Sequence, residues 1–215
     1  MLDVEKNYAG SRRDEIIDVA TEMFLEHGFA GTSMAKLAEA IGIKKASFYH
    51  HFASKDDLFA ACVPHGYGDA LSRVQDVIAS KGDPETKLRQ AIDILYDTTI
   101  SSPVGRMSHL IAEVSRTFPG VARAFHEGYV AKQRDLISEI VREGVASGTF
   151  KQMEERLLMH MLMGPIVTLS LSREMFIQFD DLDSHFPIEV LRDGHKDLLA
   201  FILTHVQKDK VDEFR

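Results

Sequence analysis

The amino-acid sequence predicts an all-α protein with a small N-terminal three-helix unit and a larger helical body. Apolar residues recur with the 3.6-residue period of helices, and no stretch alternates apolar with polar residues between turn dipeptides, as half-buried strands do. All six prolines lie at position 64 or later, where they separate the remaining helical stretches. The chain has 215 residues, of which 45% are hydrophobic and 27% charged, so it has material for an ample core.

The first predicted helix begins at a capping box and ends at a glycine. Ser11 and Asp14 have the spacing at which each side chain accepts a hydrogen bond from the other residue's backbone amide. Apolar residues then recur at helical spacing until Gly28, a residue type at which helices commonly end. We therefore expect the chain to open with one amphipathic helix.

A helix-turn-helix is predicted over residues 33–52. The apolar spacing gives two short helices, and Gly42 between them can take the positive φ that the turn requires. The outward N-terminal surface of the second helix is the part of such a unit that meets base edges and phosphates in a major groove. The DNA-contact residues predicted on this segment are Ser33, Lys44, Lys45, Ala46, Ser47, Tyr49 and His50.

The distribution of charge agrees with this interpretation. The formal net charge is −8, which by itself argues against a nucleic-acid-binding protein. Between residues 30 and 55, however, four lysines accompany a single glutamate, and His50 and His51 lie among them. A short basic region in an acidic chain predicts one DNA-contact surface.

Three short sequence motifs follow one another at characteristic spacings within this segment. They are Thr32-Ser33-Met34, Ile41-Gly42-Ile43 and Phe48-Tyr49-His50-His51-Phe52, the last followed by Ser54-Lys55. In these runs residues 11–60 resemble the TetR/AcrR family of bacterial transcriptional regulators. The resemblance implies that the second helix enters the major groove and that Lys55 holds a backbone phosphate. Lys44 departs from the pattern, because the family commonly has a Ser or Thr cap there, and Ala46 replaces a frequent Gly.

The resemblance also implies a DNA-binding domain over residues 1–60 and a helical effector-binding and dimerisation domain over residues 61–215. Periodicity in the second part predicts helices over about 84–98, 107–114, 121–147, 153–173 and 188–206. Residues 118–125 and 144–148 resemble the body of an AefR-like subgroup.

A break is expected in the helix that follows Ser54. A proline within a helix removes one backbone hydrogen bond and clashes one turn back, so Pro64 predicts a kink or break near residues 60–63. Such a hinge would set how effector binding moves the recognition helices. The alternative is a tolerated surface irregularity.

An apolar cavity for a small-molecule effector is a further implication of the resemblance. We expect an apolar or aromatic ligand, and ordinary core packing is the alternative for each lining residue. The candidates are Tyr96, Met107, Leu110, Ile111, Phe125, Tyr129, Met161, Leu162 and Pro165.

A homodimer is expected because a palindromic operator presents two half-sites roughly 34–36 Å apart. The family's four-helix dimer bundle implies that the helices over 121–147 and 153–173 form the interface. Burial within one subunit is the alternative for each residue. The candidates are Ile137, Ile140, Val141, Leu157, Gly164, Thr168 and Leu171.

Sequence motifs of other function classes are missing. There is no phosphate-binding loop motif, and Val130 stands where a zinc-protease helix beginning at His126-Glu127 needs its second histidine. The single cysteine, Cys62, excludes an intrachain disulfide and a multi-cysteine zinc site. His109 and Glu113 are one turn apart, but we favour a polar lining or a surface pair over a metal site. We therefore expect no enzyme, no metal and no cofactor.

The sequence as a whole predicts a DNA-binding transcriptional regulator, a repressor rather than an activator, that binds double-stranded operator DNA and is released by its effector. The alternative is a helical small-molecule-binding or interaction protein that has lost operator binding. Residues 1–6 carry acids without an apolar run, and the longest uncharged stretch, residues 157–172, is shorter than the roughly 20 residues of a membrane span. We expect a cytoplasmic protein without a membrane partner.

Overall fold

The computed structural model describes residues 11–206, and their regular elements are helical, which confirms the all-α prediction. The helices are α1 (Arg12–Gly31), α2 (Met34–Ile41), α3 (Lys45–His51), α4 (Lys55–Ala79), α5 (Pro84–Tyr96), α6 (Met107–Val114), α7 (Pro119–Phe125), α8 (Ala131–Ala146), α9 (Glu155–Met175), α10 (Leu182–His185) and α11 (Ile188–Val206). π-Helical turns lie at Asp97–Ser101 and His126–Val130, and a 3-10 turn at Pro103–Arg106. Within residues 11–206, no helix combines the length and the apolar character needed to cross a membrane.

Packing divides the chain into two compact units. The first unit comprises residues 11–66 together with residues 110–128. The second unit comprises residues 67–109 together with residues 129–206. The helix-turn-helix segment lies in the first unit, and α5, α8, α9 and α11 lie in the second.

The N-terminal helix folds as its sequence predicts. Ser11 and Asp14 form the capping box, in which the Ser11 backbone amide donates to the Asp14 carboxylate at 2.9 Å. The hydrogen bonds from Ser11 hold the pKa of Asp14 below its usual value. Gly28 leaves the helical conformation with φ +70°, as expected, although one further turn carries α1 to Gly31.

An aromatic cluster forms the centre of the first unit. The Phe59 ring packs edge-on against Phe24 at 4.9 Å and Phe29 at 5.2 Å between centroids. Phe118 contacts Phe29 at 5.2 Å. Aromatic pairs of this kind add about 0.5–1.5 kcal/mol each beyond the area that they bury. The cluster therefore fixes α1 and α4 against the 110–128 segment.

Of the predicted kink or break in α4, the break is wrong, because the helix runs without interruption from Lys55 to Ala79, and the kink stays a prediction. Its buried residues keep the helical period on both sides of position 64, with Val63 before it and Tyr67 after it. Burial of this continuous apolar stripe outweighs the backbone hydrogen bond that the proline removes. That this position sets how effector binding moves the recognition helices stays a prediction.

The core of the second unit is built from four long helices. Ile92 of α5, Ile140 of α8, Ile166 of α9 and Ile202 of α11 belong to one buried cluster. The helix starts also follow the sequence, since Asp83 caps α5 by accepting from the Thr86 backbone amide at 2.9 Å. The short helix α10 lies between the helices predicted over 153–173 and 188–206 and was not predicted.

Two contacts hold α8 against its neighbours. The Lys87 ammonium of α5 is buried and donates to both carboxylate oxygens of Glu143 at 3.0 Å. One residue further, Gly144 packs against the Phe150 ring, and a Cβ at position 144 would lie 2.0 Å from a ring carbon. The absence of a side chain at Gly144 therefore lets the chain after α8 fold back onto the helix.

The apolar face of α8 points into the core of its own chain. Ile137 and Ile140 are fully buried and Val141 is nearly so. These three residues were predicted at the dimer interface, and that prediction is wrong because they have no surface to offer to a second copy. The outer face of α8 is charged, with Lys132, Asp135 and other ionic residues exposed.

Candidate nucleic-acid interface

The turn between α2 and α3 has the geometry that the sequence predicts. The Ser33 hydroxyl caps α2 by accepting from the Lys36 backbone amide at 3.2 Å. Gly42 ends α2 in the left-handed region with φ +73°, and the Ile43 amide donates to the Ala38 carbonyl at 2.9 Å. These bonds close the end of α2 and direct the chain into α3.

Helix α3 has one buried and one exposed face. Phe48 and Phe52 are buried, with their rings 6.2 Å apart, and the Arg13 guanidinium lies 4.8 Å over Phe52. Lys45 is the first residue of α3. The predicted contact residues exposed on this segment are Ser33, Lys44, Ala46, Ser47, Tyr49 and His50. Their contact with DNA stays a prediction.

Lys44 precedes α3 without capping it. Its backbone is extended, and the side chain makes no hydrogen bond to the first turn of the helix. A Ser or Thr cap is typically worth about 1 kcal/mol, so its absence costs some local helix stability. Lys44 instead places an exposed cation next to the N-terminus of α3. The N-terminus is the end of a recognition helix that faces DNA.

Lys55 bonds to its own domain, a role that the sequence did not reveal. Its ammonium donates to the Phe29 carbonyl at 2.8 Å and to the Thr32 carbonyl at 3.0 Å, and it lies 4.1 Å from the Phe29 ring centroid. The Thr32 hydroxyl donates to the Gly28 carbonyl at 2.9 Å. Two of the three ammonium hydrogens thus stabilise the α1–α2 corner, and the phosphate contact stays a prediction.

A second cation supports the helix-turn-helix from outside the predicted set. The Arg12 guanidinium donates to the Ile41 carbonyl at the end of α2, at 3.3 Å, and pairs with Glu15. A cation is favourable at a helix C-terminus. Arg12 and Ile41 are 29 positions apart in the chain, so no local sequence pattern indicates this contact.

The predicted effector-pocket residues divide between the two units. Those in the first unit are Leu110, Ile111 and Phe125, and those in the second are Tyr96, Met107, Tyr129, Met161, Leu162 and Pro165. Tyr96 and Leu162 share the buried core of the second unit, with Met161 packed against it. Tyr129 stacks on Tyr67 at 4.0 Å between ring centroids. That these residues bind an effector stays a prediction.

The remaining dimer candidates lie on α9. Leu157 is 55% exposed and Leu171 is 50% exposed, and Thr168 is exposed as well. Gly164 is half-buried on the same helix. Val167 and Met175 extend the exposed apolar surface, although the sequence prediction omitted them.

His109 makes a polar contact rather than standing in a group of ligands. Its Nε2 lies 3.0 Å from the Ser170 hydroxyl, and burial lowers its pKa. Within the described part of the chain, no three His, Cys, Asp or Glu side chains are grouped so that they could hold a metal ion.

Comparison with known proteins agrees with the helix-turn-helix geometry. Residues 16–62 match the family model of the bacterial regulatory proteins of the tetR family. The transcriptional repressor KstR2 of Mycobacterium tuberculosis H37Rv is 26% identical over 151 residues, which cover 70% of this chain and 74% of the repressor. The repressor AcnR of Corynebacterium diphtheriae is 37% identical over 71 residues, or 33% of this chain and 35% of AcnR.

Solved structures share the fold over nearly the full chain. The fatty acid degradation regulator FadR from Bacillus halodurans superposes with a TM-score of 0.70 at 21% identity, covering 89% of this chain and 96% of its own. FadR from Bacillus subtilis, solved with stearoyl-CoA, has a TM-score of 0.68 at 20% identity and covers 91% of this chain and 100% of its own. In its tetR-family N-terminal match, in its sequence and in its fold, the chain is similar to transcriptional regulators of the TetR/AcrR family.

Proposed function

We propose that this regulator is a cytoplasmic repressor that binds a palindromic operator as a homodimer and is released by an apolar or aromatic small molecule. Residues 1–60 form the DNA-binding domain, and residues 61–215 form an effector-binding and dimerisation domain of the AefR-like subgroup. One observation carries the proposal: within the tetR-family match, Phe48 and Phe52 fix α3 while its N-terminal surface stays exposed.

Sequence-specific contacts are assigned to the start of α3. Lys45 donates to guanine O6 and N7, and Ala46 packs against a thymine methyl group. Tyr49, which is 47% exposed, contacts a phosphate and so sets the register of the protein on the duplex. Lys44 and Lys55 supply further positive charge at the same surface.

The dimer is assigned to α9 and α11. On α9, Leu157, Val167 and Leu171 are exposed at helical spacing, and on α11 Val190 and Phe201 are exposed. Exposed apolar side chains on two adjacent helices favour a partner that covers them. Two such helices from each copy form a four-helix interface, in which α11 takes the place that was expected for α8.

Release follows from the linkage between effector and DNA binding. An effector that prefers a dimer with wrongly spaced recognition helices lowers operator affinity by its differential affinity for the two states. The stearoyl chain of the stearoyl-CoA bound to the Bacillus subtilis regulator supports an effector with an apolar part. Met153, Met159, Met161 and Met163 pack against the core of the body, and adaptable side chains of this type are compatible with such an effector.

Fluorescence anisotropy against a library of short duplexes tests the proposal. The native protein is expected to select a palindrome, and the Lys45→Ala, Tyr49→Phe double variant is expected to lose this selection. The matched control is Lys132→Ala, Arg142→Ala, which removes two exposed cations from α8. Specific binding should weaken with salt at roughly −0.9 per neutralised phosphate on logarithmic axes.

The alternative function gives a different result in the same experiment. A helical interaction protein that has lost operator binding would bind no duplex at any salt concentration, although it is a folded dimer. Mass spectrometry of the sample under native conditions then separates this case from a regulator whose DNA binding is blocked by a co-purified ligand.

A further inference from the structure

A cleft of about 280 Å³ lies between α5 and α11, within the second unit. Its floor is apolar, since Ile92, Tyr96 and Leu199 are all buried in the core beneath it. Of the predicted pocket residues Tyr96 alone lines this cleft, so it is a different place from the predicted effector cavity. A volume of this size suits a compound of roughly ten to fifteen non-hydrogen atoms.

Two side chains flank the Tyr96 ring at the wall of the cleft. The Arg192 guanidinium lies 5.4 Å from the ring centroid, and the His195 ring lies 5.3 Å from it. Burial lowers the pKa of His195, which keeps the imidazole neutral near pH 7. The partly exposed Arg192 and His195 side chains therefore offer flat surfaces against which an aromatic ring can pack.

The rim of the cleft is rich in cations. Arg89, Arg192 and Lys196 line it together with a single acid, Asp93. The other acids that pair with these cations do not line the cleft: Glu85 contacts Arg89 at 2.7 Å, Asp193 contacts Lys196 at 3.6 Å, and Asp97 and Glu189 pair with Arg192. The lining residues themselves thus comprise three cations and one anion, and each cation also has an acid partner outside the cleft.

Arg192 has an unused donor at this position. Its terminal nitrogen Nη2 pairs with Asp97, which raises the pKa of the guanidinium. Its Nε is buried and has no hydrogen-bond partner within the described part of the chain, because the nearest carboxylate of Glu189 is 3.7 Å away. A buried donor without an acceptor is unfavourable, and the guanidinium as a whole places positive charge at the rim, where a carboxylate oxygen can form a charge-assisted hydrogen bond.

We infer that this cleft is a binding site for a small aromatic carboxylate, with the ring on the apolar floor and the carboxylate among the cations of the rim. The inference does not depend on the proposed operator binding, because it concerns a cleft within one unit and is tested without DNA. It adds to the proposed function a ligand class, an organic acid, and a location that the sequence did not indicate.

Helix α11 gives this site a route to the proposed dimer surface. Arg192, His195 and Leu199 lie on one face of the helix, whereas Val190 and Phe201 lie on the opposite face and are exposed. A ligand between α5 and α11 contacts the inner face of the same helix that carries the exposed apolar residues.

Isothermal titration calorimetry of the full chain tests the inference with three probes of equal shape. We expect 2-naphthoate to bind with a Kd of roughly 10 µM to 1 mM, the range for a ligand of this size. The neutral 2-naphthamide and the cationic 2-naphthylmethylamine should bind at least about tenfold more weakly, because they cannot form charge-assisted bonds with the rim. Equal binding of acid and amide, or no binding of the acid, would overturn the inference.

Variants locate the site. Arg192→Gln and Lys196→Gln should each weaken 2-naphthoate binding about tenfold, and the matched control Arg142→Gln, on the outer face of α8, should not. Gln90→Trp places a large side chain at the exposed rim and should block binding, whereas Gln152→Trp in the exposed loop before α9 should not.

Because Arg192 also pairs with Asp97, its replacement can affect folding, and a thermal melt checks this. If Arg192→Gln lowers the melting temperature, the surface variants Lys196→Gln and Gln90→Trp show whether the probe binds in the cleft. Unchanged binding in Gln90→Trp would show that the probe sits elsewhere and contradict the inference. Failure of the protein to bind any duplex would contradict the proposed function and leave the calorimetric result unaffected.

Discussion

Helices α8 and α9 carry similar apolar stripes, yet the structure uses them in opposite ways. On α8, Ile137 and Ile140 are fully buried and the charged face is outside. On α9, Leu158, Leu162 and Ile166 fill the core while a second apolar set stays exposed. Helical periodicity predicts that a helix has an apolar face. It does not distinguish a helix with one buried apolar face from a helix with a second, exposed apolar face, because that depends on the packing.

The difference between these helices separates folding from assembly. A residue that the chain itself buries contributes to the stability of the monomer, whereas an exposed apolar residue contributes when a partner covers it. Substitutions on the two helices should therefore change different measured quantities.

The largest effect on stability is expected from a substitution in the buried face of α8. Ile140→Ala removes buried methyl groups from the core and should lower the free energy of unfolding by about 3 kcal/mol. Chemical denaturation monitored by circular dichroism measures this loss. Val167→Ala on the exposed face of α9 is the control and should change monomer stability by less than about 0.5 kcal/mol. Similar losses in both variants would show that α9 has no free face.

The second effect concerns assembly. Leu171→Asp places a charge in the exposed stripe of α9 and should weaken dimerisation at least about tenfold, because the charge loses water at the interface. Sedimentation equilibrium over a concentration series measures the association. Glu139→Ala, a change at an exposed residue of α8, is the control and should leave the dimer intact. A Leu171→Asp variant that dimerises like the native protein would place the interface elsewhere.

The smallest effect is a pH dependence of the free energy of unfolding, caused by His109, which contacts the buried side of α9. His109 lies 3.0 Å from Ser170, and burial lowers its pKa from 6.5 in the folded state. The unfolded chain therefore takes up a proton first as pH falls, so stability is full above about pH 6.5 and declines as pH falls through the folded pKa. The ring is only half-buried and solvent screens it, so the decline should stay below about 1 kcal/mol.

His109→Gln tests this dependence because glutamine can still bond to the Ser170 hydroxyl without titrating in this range. Thermal melts between about pH 7.5 and 5 should show a smaller loss of stability in the variant than in the native protein. Superimposable pH profiles would exclude His109 as the group responsible.

Local chemistry explains what the sequence could predict. The capping box at Ser11 and the end of α2 at Gly42 follow from contacts between residues close in the chain. The helix-turn-helix was predictable for the same reason, since its turn and its two short helices occupy fewer than about twenty-five residues.

Contacts between distant residues explain what could not be predicted. Lys55 bonds to carbonyls that precede it by 23 and 26 residues, and no local pattern reports such a partner. The continuity of α4 past Pro64 depends on burial along the whole helix, which outweighs the local proline signal. The cleft between α5 and α11 joins segments about a hundred residues apart, so its lining is visible only in the folded chain.

The Gly144–Phe150 contact has a consequence for how the sequence can vary. Any L-amino acid other than glycine would put its Cβ 2.0 Å from the Phe150 ring, so the ring would have to leave its place. A smaller residue at position 150 would remove that clash and allow alanine at 144. The two positions are thus constrained as a pair, and substitutions that are harmful singly become acceptable together.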